Sequence, residues 1–450
     1  MRILRLFFTI SVLLAFAIPL AAQSTFILTV DPTNLATVLS SHGLTLVKDL
    51  HDGPNCVYLV SSASSNAAGV EAEVEKDLLV VSFELDQIAA LPELNGLTQT
   101  TLNQSSTSIL DTLPATGVSF FGSTVLSNYT TQTATTIIRL SDARLATNLT
   151  GAGTVAIIDT GADPNHPALA AALVPGYDFT RDTLGSSEFA DLDPTLAAKL
   201  QQSSTSILDA QTTMSLNAST VLILNQSSTS ILDQSSTSIL DSTYPEFGHG
   251  TMVAGIVHLV APTAKIMPLK AFRADGTSRL SDIVRAIYYA AINQANVISM
   301  SFSMAQSSPS LQAAIQFALD RNVTLVASAG NDGLKVLVYP ASYNGVEGIG
   351  STTNTDLRST FSNYGSGTTL FAAPGEGVIT TFPGGGYAAG WGTSFSAPMV
   401  SGSAALVLQA WPTAKPGDVT NVLSKAKQIN DMGGYGRIDL YLALTTNLHQ

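Results

Sequence analysis

Short strand-like runs limit what this chain can fold into more than any other feature. Thr154-Val155-Ala156-Ile157-Ile158 is apolar without alternation, the mark of a parallel strand buried on both faces. Further strands are expected at Lys265–Lys270, Val297–Ser301, Thr324–Ala327 and Gly348–Ser351, with helical stretches around Ser281–Gln294 and Ser310–Arg321. Strand and helix in alternation predict an α/β domain with a doubly wound parallel sheet, over about 138–450. Asp159 ends the first run, so its carboxylate is expected at the carboxyl edge of the sheet, where open α/β folds place their sites.

The beginning of the chain reads differently. Met1, Arg2 and Arg5 give a basic start, Leu6 to Leu20 is nearly all apolar, and Ala21-Ala22 precede Gln23. Residues 1–22 therefore read as a secretory signal peptide, which predicts a secreted protein, extracellular or periplasmic, with no stable membrane anchor. Only 12% of the 450 residues are charged and the net charge is −13. That balance speaks against nucleic-acid binding, which favours basic surfaces. Cys56 stands alone, so no intrachain disulfide framework is available.

Residues 23–90 form a unit of their own. Phe26–Val30 reads as a strand, Asp31-Pro32 opens a helix through Leu39, and Leu44–Leu50 and Cys56–Val60 follow as strands. A helix with Val70 and Val74 and a last strand over Leu78–Phe83 complete the order β-α-β-β-α-β, a small α+β split βαβ (ferredoxin-like) domain. Residues 91–137 are Ser/Thr-rich, poor in charge, and read as a linker. Four identical octapeptides, Gln104–Asp111, Gln202–Asp209, Gln226–Asp233 and Gln234–Asp241, mark the linker and a surface insertion of about 184–243. A flexible low-complexity loop and a small stack of repeat strands are both open readings of those copies.

Three blocks carry chemistry. Ile157-Ile158-Asp159-Thr160-Gly161 brings a carboxylate, Gly248-His249-Gly250-Thr251 an imidazole, and Gly392-Thr393-Ser394-Phe395-Ser396-Ala397-Pro398 a hydroxyl. An acid, a base and a hydroxyl wrapped in small residues are what activating a serine nucleophile requires. Small neighbours keep the approach to His249 open, and a helix starting at Ser394 would offer free N–H groups to an oxyanion. In the order Asp, His, Ser, the three blocks resemble the subtilisin-like serine peptidases (subtilases, peptidase family S8).

The resemblance implies a serine endopeptidase acting on proteins or peptides through an acyl-enzyme, with Asp159, His249 and Ser394 as its triad. It extends to Ala327-Ser328-Ala329-Gly330-Asn331-Asp332-Gly333, whose Asn331 would serve the oxyanion hole. Val297–Ser303 resembles the strand that pairs with substrate, which makes Ser301, Ser303, Ser328 and Gly330 the expected substrate-binding residues. Ser299 departs from the usual Asn and Ser303 from the usual Gly, and the latter would narrow the groove. The family's inhibitor-type propeptides have the β-α-β-β-α-β order, so 23–90 is expected to be the enzyme's own propeptide, made as part of a zymogen. An accessory domain is the other reading of that unit, since fold alone does not fix a role.

No cofactor is expected for the chemistry. Calcium is common in the resembled family, but Ala168 stands after His166-Pro167 where a carboxylate ligand is frequent, so no metal site is assigned. His166 reads as a structural histidine and His258 as a helix-surface residue. A competing reading keeps the scaffold without catalysis, as a secreted binding or adhesion protein that uses the repeats.

Overall fold

The computed structural model describes residues 24–51, 56–91, 117–202, 212–215, 220–224 and 244–447, and divides into two compact units, 1–85 and 86–450. The expected signal peptide lies outside the described residues, as do the repeat copies apart from Gln202.

In the first unit the strands Ser24–Val30, Leu44–His51, Cys56–Ser62 and Val80–Leu85 alternate with the helices Leu35–His42 and Ala67–Val74 in the order β-α-β-β-α-β. The four strands make one antiparallel sheet, with Ser24–Val30 between Cys56–Ser62 and Val80–Leu85. Phe26, Leu28, Val30, Tyr58, Val60 and Phe83 form its core with Val38 and Val74 from the helices. The rings of Phe26 and Phe83 stack at 4.8 Å.

The second unit is built on a nine-stranded sheet. From one edge to the other, its strands are Thr183–Leu184, Tyr177–Asp178, Lys265–Lys270, Thr154–Asp159, Val297–Met300, Thr324–Ser328, Val346–Thr352, Phe371–Pro374 and Gly436–Arg437. All neighbouring pairs are parallel except the first. Thr154–Asp159 is flanked by Lys265–Lys270 on one side and by Val297–Met300 on the other. The winding reverses there, next to Asp159, the place where open α/β sheets form their sites beyond the carboxyl ends of the strands.

Alternation along the strands divides the core. Val155, Ile157, Val297 and Val326 pack with Met252, Ile256, Met399, Val400 and Leu406 from two long helices, His249–Val260 and Thr393–Ala410. Ala156, Ile158, Ile298 and Leu325, equally buried, point the other way. The helices Leu280–Ile292 and Pro309–Leu319 pack on each other and on the sheet. Against His249–Val260 the longer helix comes close: a Cβ on Gly402 would lie 2.7 Å from Val260 Cβ and 3.2 Å from the Val257 carbonyl oxygen.

Two stretches differ from their expected character. Residues 117–137, expected as linker, form the hairpin Gly117–Phe120/Ser123–Leu126 and two short helices, with Tyr129, Phe120 and Ala134 buried. They are fixed by side-chain hydrogen bonds and not by an apolar period: Tyr129 OH donates to the Gly255 carbonyl at 2.7 Å, and Gln132 exchanges two bonds with the Ile379 backbone. The expected surface insertion begins with residues that belong to the core, since Glu188, Phe189, Leu192 and Leu196 are buried. Farther on, Thr212–Ser215 and Thr220–Leu224 form a hairpin that pairs through Leu222–Leu224 with Tyr387–Ala389. These strands fall between octapeptide copies.

Candidate active site

Asp159 is fully buried at the end of its strand. Its Oδ1 accepts the His249 Nδ1 proton at 2.7 Å and the Thr160 backbone N–H, also at 2.7 Å. A carboxylate can only accept, so the proton sits on Nδ1 and the neutral ring presents its Nε2 lone pair on the far side. His249 opens its helix, and every residue of that helix is buried. The approach of the two segments depends on Gly250, where a Cβ would lie 2.1 Å from the Gly161 carbonyl oxygen. Burial pushes the His249 pKa down, but the Asp159 charge and hydrogen bond, with help from Glu246 and Glu188, outweigh it and raise the pKa to about 9.

Ser394 is the second residue of the Thr393–Ala410 helix. The ring of its neighbour Phe395 lies 5.7 Å from that of His249, which sets the start of this helix beside the imidazole. The Ser394 hydroxyl donates to the Ser301 carbonyl at 3.3 Å, and among the described residues no hydrogen bond joins it to His249. The Ser394 carbonyl would ordinarily accept from the N–H four residues on, but that residue is Pro398, which has none. The Ser301 hydroxyl fills the gap at 3.1 Å. One residue, just past the end of the strand Val297–Met300, thus holds the serine at both its oxygens. Two turns later, Ser401 donates to Ser299 at 2.9 Å, so the departure at 299 ties strand and helix together.

Asn331 is held by its acceptor. Its Oδ1 takes the Thr393 N–H and the Thr393 hydroxyl, both at 2.9 Å. A Cβ on Gly392 would stand 3.3 Å from Asn331 Nδ2, so the amide nitrogen is directed at the backbone leading into Ser394. Ser328 is buried, donating to the Phe302 carbonyl at 3.4 Å. At Gly330, whose φ is +89°, a Cβ would lie 2.6 Å from Asn363 Nδ2 and 3.5 Å from Ser303 Oγ.

Beside these residues the chain itself supplies a short strand. Ile88–Ala90 pairs antiparallel with Thr277–Arg279 on one side, and Ala90 bridges to Ser303 on the other. Leu91 N–H donates to the Gly276 carbonyl at 3.0 Å. Ala89 and Leu91 are buried while Ile88 is exposed, so burial alternates along this short strand. Antiparallel register with Ser303 carries the strand direction toward Ser301 and hence toward Ser394.

His166 is buried, with Nε2 at 2.9 Å from the Gly386 carbonyl and Nδ1 accepting the Ala168 N–H at 3.2 Å, a structural histidine. His258 is not on the helix surface as its position suggested. It is 4% exposed, edge-on to Phe120 at 5.5 Å, and burial drives its pKa down to about 4. Among the described residues no group of three or more His, Cys, Asp or Glu side chains could hold a metal ion.

Sequence reasoning missed Glu188, Thr160 and Thr393. The two threonines stand inside the quoted blocks, where only their size drew notice. Nothing near Glu188 in the sequence advertises it, because its partners are 28 to 63 positions away.

The sequence pattern of the subtilase family matches residues 151–438. Subtilisin BL from Lederbergia lenta is 35% identical over 209 residues, which are 44% of this chain and 76% of that protein. M-protease from Shouchella clausii is also 35% identical over 209 residues, 44% of this chain and 53% of its own. A thermophilic serine proteinase from Bacillus sp. (strain AK1) is 30% identical over 295 residues, 65% of this chain and 61% of its length. With 151–438 of the second unit matched, well over half of the whole chain, the chain belongs to the subtilase family of serine-type endopeptidases.

Proposed function

We propose that this protein is a secreted endopeptidase made as a zymogen, and that Ser394, His249 and Asp159 hydrolyse peptide bonds with Asn331 in the oxyanion hole. The observation that carries the proposal is the buried 2.7 Å bond from His249 Nδ1 to Asp159 beside the start of the Ser394 helix. Rotation about the Ser394 Cα–Cβ bond releases its hydroxyl from Ser301 and turns it toward His249 Nε2. Catalytic hydrogen bonds of this kind are often loose before substrate binds. His249 takes the proton as Ser394 Oγ attacks the carbonyl carbon, then delivers it to the leaving amine, and Asp159 stabilises the imidazolium between the two steps. The Asn331 amide and the Ser394 N–H, at a helix start, meet the oxyanion. Water then repeats the cycle on the acyl-enzyme. No cofactor enters.

Substrate is bound as an added strand between Gly276–Arg279 and Ser301–Ser303, with main-chain bonds supplying affinity and the walls at Ser328 and Gly330 shaping the pocket. The chain's own Ile88–Leu91 lies at that position, which supports a propeptide role for 23–90: its end occupies the cleft until it is cut away. The relatives' names support peptidase action; the leader at 1–22 supports export, and no helix of the described residues is long and apolar enough to cross a membrane.

A serine-directed phosphonate tests the reading. Labelling of the matured protein that disappears in Ser394→Ala supports it, and a matured protein that takes no label refutes it in favour of a binding protein on the same scaffold. The N-terminus of the secreted form, expected beyond Leu91, tests the zymogen.

A further inference from the structure

Behind the Asp159–His249 pair lies a second carboxylate that the triad does not account for. Glu188 is fully buried on the short helix Glu188–Asp191. Its Oε1 accepts from the Thr160 hydroxyl and from the Gly250 N–H, the latter at 3.1 Å, and its Oε2 accepts from the Thr251 hydroxyl. Thr160 follows Asp159; Gly250 and Thr251 follow His249. One side chain therefore grips both segments that deliver the acid and the base. The Gly250 N–H also reaches Thr160 Oγ1, at 2.9 Å, closing a ring of bonds around the carboxylate.

The surroundings are cut to fit it. Gly161 has φ +111°, and a Cβ there would strike the Ser186 carbonyl oxygen at 2.3 Å and meet Glu188 Cγ at 3.3 Å. Lys270, itself fully buried, donates to the Thr160 carbonyl at 2.8 Å and pairs with Asp191 on the same short helix. A buried carboxylate with three donors and a lysine nearby is satisfied as an anion.

We infer that Glu188 is a positioning residue of the hydrolytic reaction: it fixes Asp159 against His249 and supplies a second negative charge behind the imidazole. The charged groups facing His249 are Asp159, Glu246 and Glu188, and those facing Glu188 are Lys270 and Asp159. Burial raises the Glu188 pKa against the pull of Thr160, Thr251 and Lys270. While ionised, it favours the protonated imidazole.

The inference rests on the triad proposed above, and active-site titration with the phosphonate separates the two: an unlabelled wild type fails the triad, whereas labelled enzyme permits the following comparison. Per titrated site, Glu188→Gln is expected to move the acid limb of kcat/KM to lower pH and to cut kcat by about tenfold or more, with KM little changed, because small misplacements of reacting groups are costly. Glu188→Asp keeps the charge and loses reach, so kcat falls and the acid limb stays. Should Glu188→Gln not fold, Thr251→Val against Thr251→Ser decides: loss of kcat in Val with rescue in Ser supports the clamp. An unmoved acid limb in Glu188→Gln with kcat per site unchanged overturns it, as does, where that variant does not fold, equal kcat in the two Thr251 variants.

Discussion

At the scale of single residues the site is a problem of proton affinity. The Asp159 carboxylate holds His249 basic against the pull of burial, and a base must be neutral to accept a proton. The acid limb of kcat/KM is therefore expected at a midpoint above the ordinary histidine value of about 6.5. Asp159→Asn removes both the charge and the fixed tautomer. It should lower that midpoint and cut kcat by about 10⁴, the size seen when a serine-protease triad loses this carboxylate. Stopped assays of a chromogenic peptide across pH measure both; a midpoint at or below 6.5 in the parent enzyme would contradict the argument. In the proposed mechanism Asn331 acts later in the cycle. With Oδ1 fixed by Thr393, its amide nitrogen is the donor that the proposed mechanism assigns to the oxyanion. Asn331→Ala should therefore reduce kcat by roughly 10²–10³ with KM nearly unchanged, the loss that subtilisin, a relative of this chain, suffers without its oxyanion-hole asparagine.

At the scale of elements, a strand and a helix share a defect that each repairs for the other. Pro398 withholds the N–H that the Ser394 carbonyl needs, and Ser301 supplies a hydroxyl instead. Ser301→Ala leaves a buried acceptor bare and should cost about 1–3 kcal/mol. In Pro398→Ala the helix regains its own donor, so Ser301→Ala on that background should cost less. Denaturant midpoints of the four proteins, in inactive Ser394→Ala form to prevent autolysis, give the coupling; strict additivity would dissolve the explanation. This pairing also marks where sequence ceases to be legible. Thr154–Asp159 and Lys265–Lys270 were readable because both faces of a parallel strand are buried, which leaves an apolar run. The three motif blocks were readable because close approach demands small residues around each functional group. Residues 117–137 and Glu188 were not, since hydrogen bonds to residues distant in the sequence hold them and such bonds impose no period on a sequence. The Ser301 hydroxyl belongs with them: its partner is 93 positions away.

For the molecule as a whole, two carboxylates shift stability with pH in opposite senses. Glu347 lies in the fully buried strand Val346–Thr352; Oε1 accepts from Thr420 at 2.8 Å, while Oε2 has no partner among the described residues. Burial drives its pKa up, opposed by the Thr420 bond, from 4.5 to about 7. Between those two values the folded chain holds a proton that the unfolded chain has released. Folding is therefore progressively less favourable as pH rises through that window, and the penalty is complete above about 7. Asp356 works in the opposite sense. Burial alone would raise its pKa, but bonds from Arg437 and Lys427 lower it, so its contribution is present above the ordinary aspartate range and fades as pH falls below it. Taken by themselves, these two carboxylates favour the folded chain most on the acidic side of neutrality. Glu347→Gln keeps the shape and abolishes the penalty. Its gain over the parent should be near zero at about pH 4.5 and grow to at most about 3 kcal/mol at about pH 8, the free energy that corresponds to a rise from 4.5 to about 7. Urea midpoints of the Ser394→Ala protein with and without Glu347→Gln, taken across that range, would show the two curves diverging; parallel curves would mean that Glu347 reaches solvent or a partner once ionised.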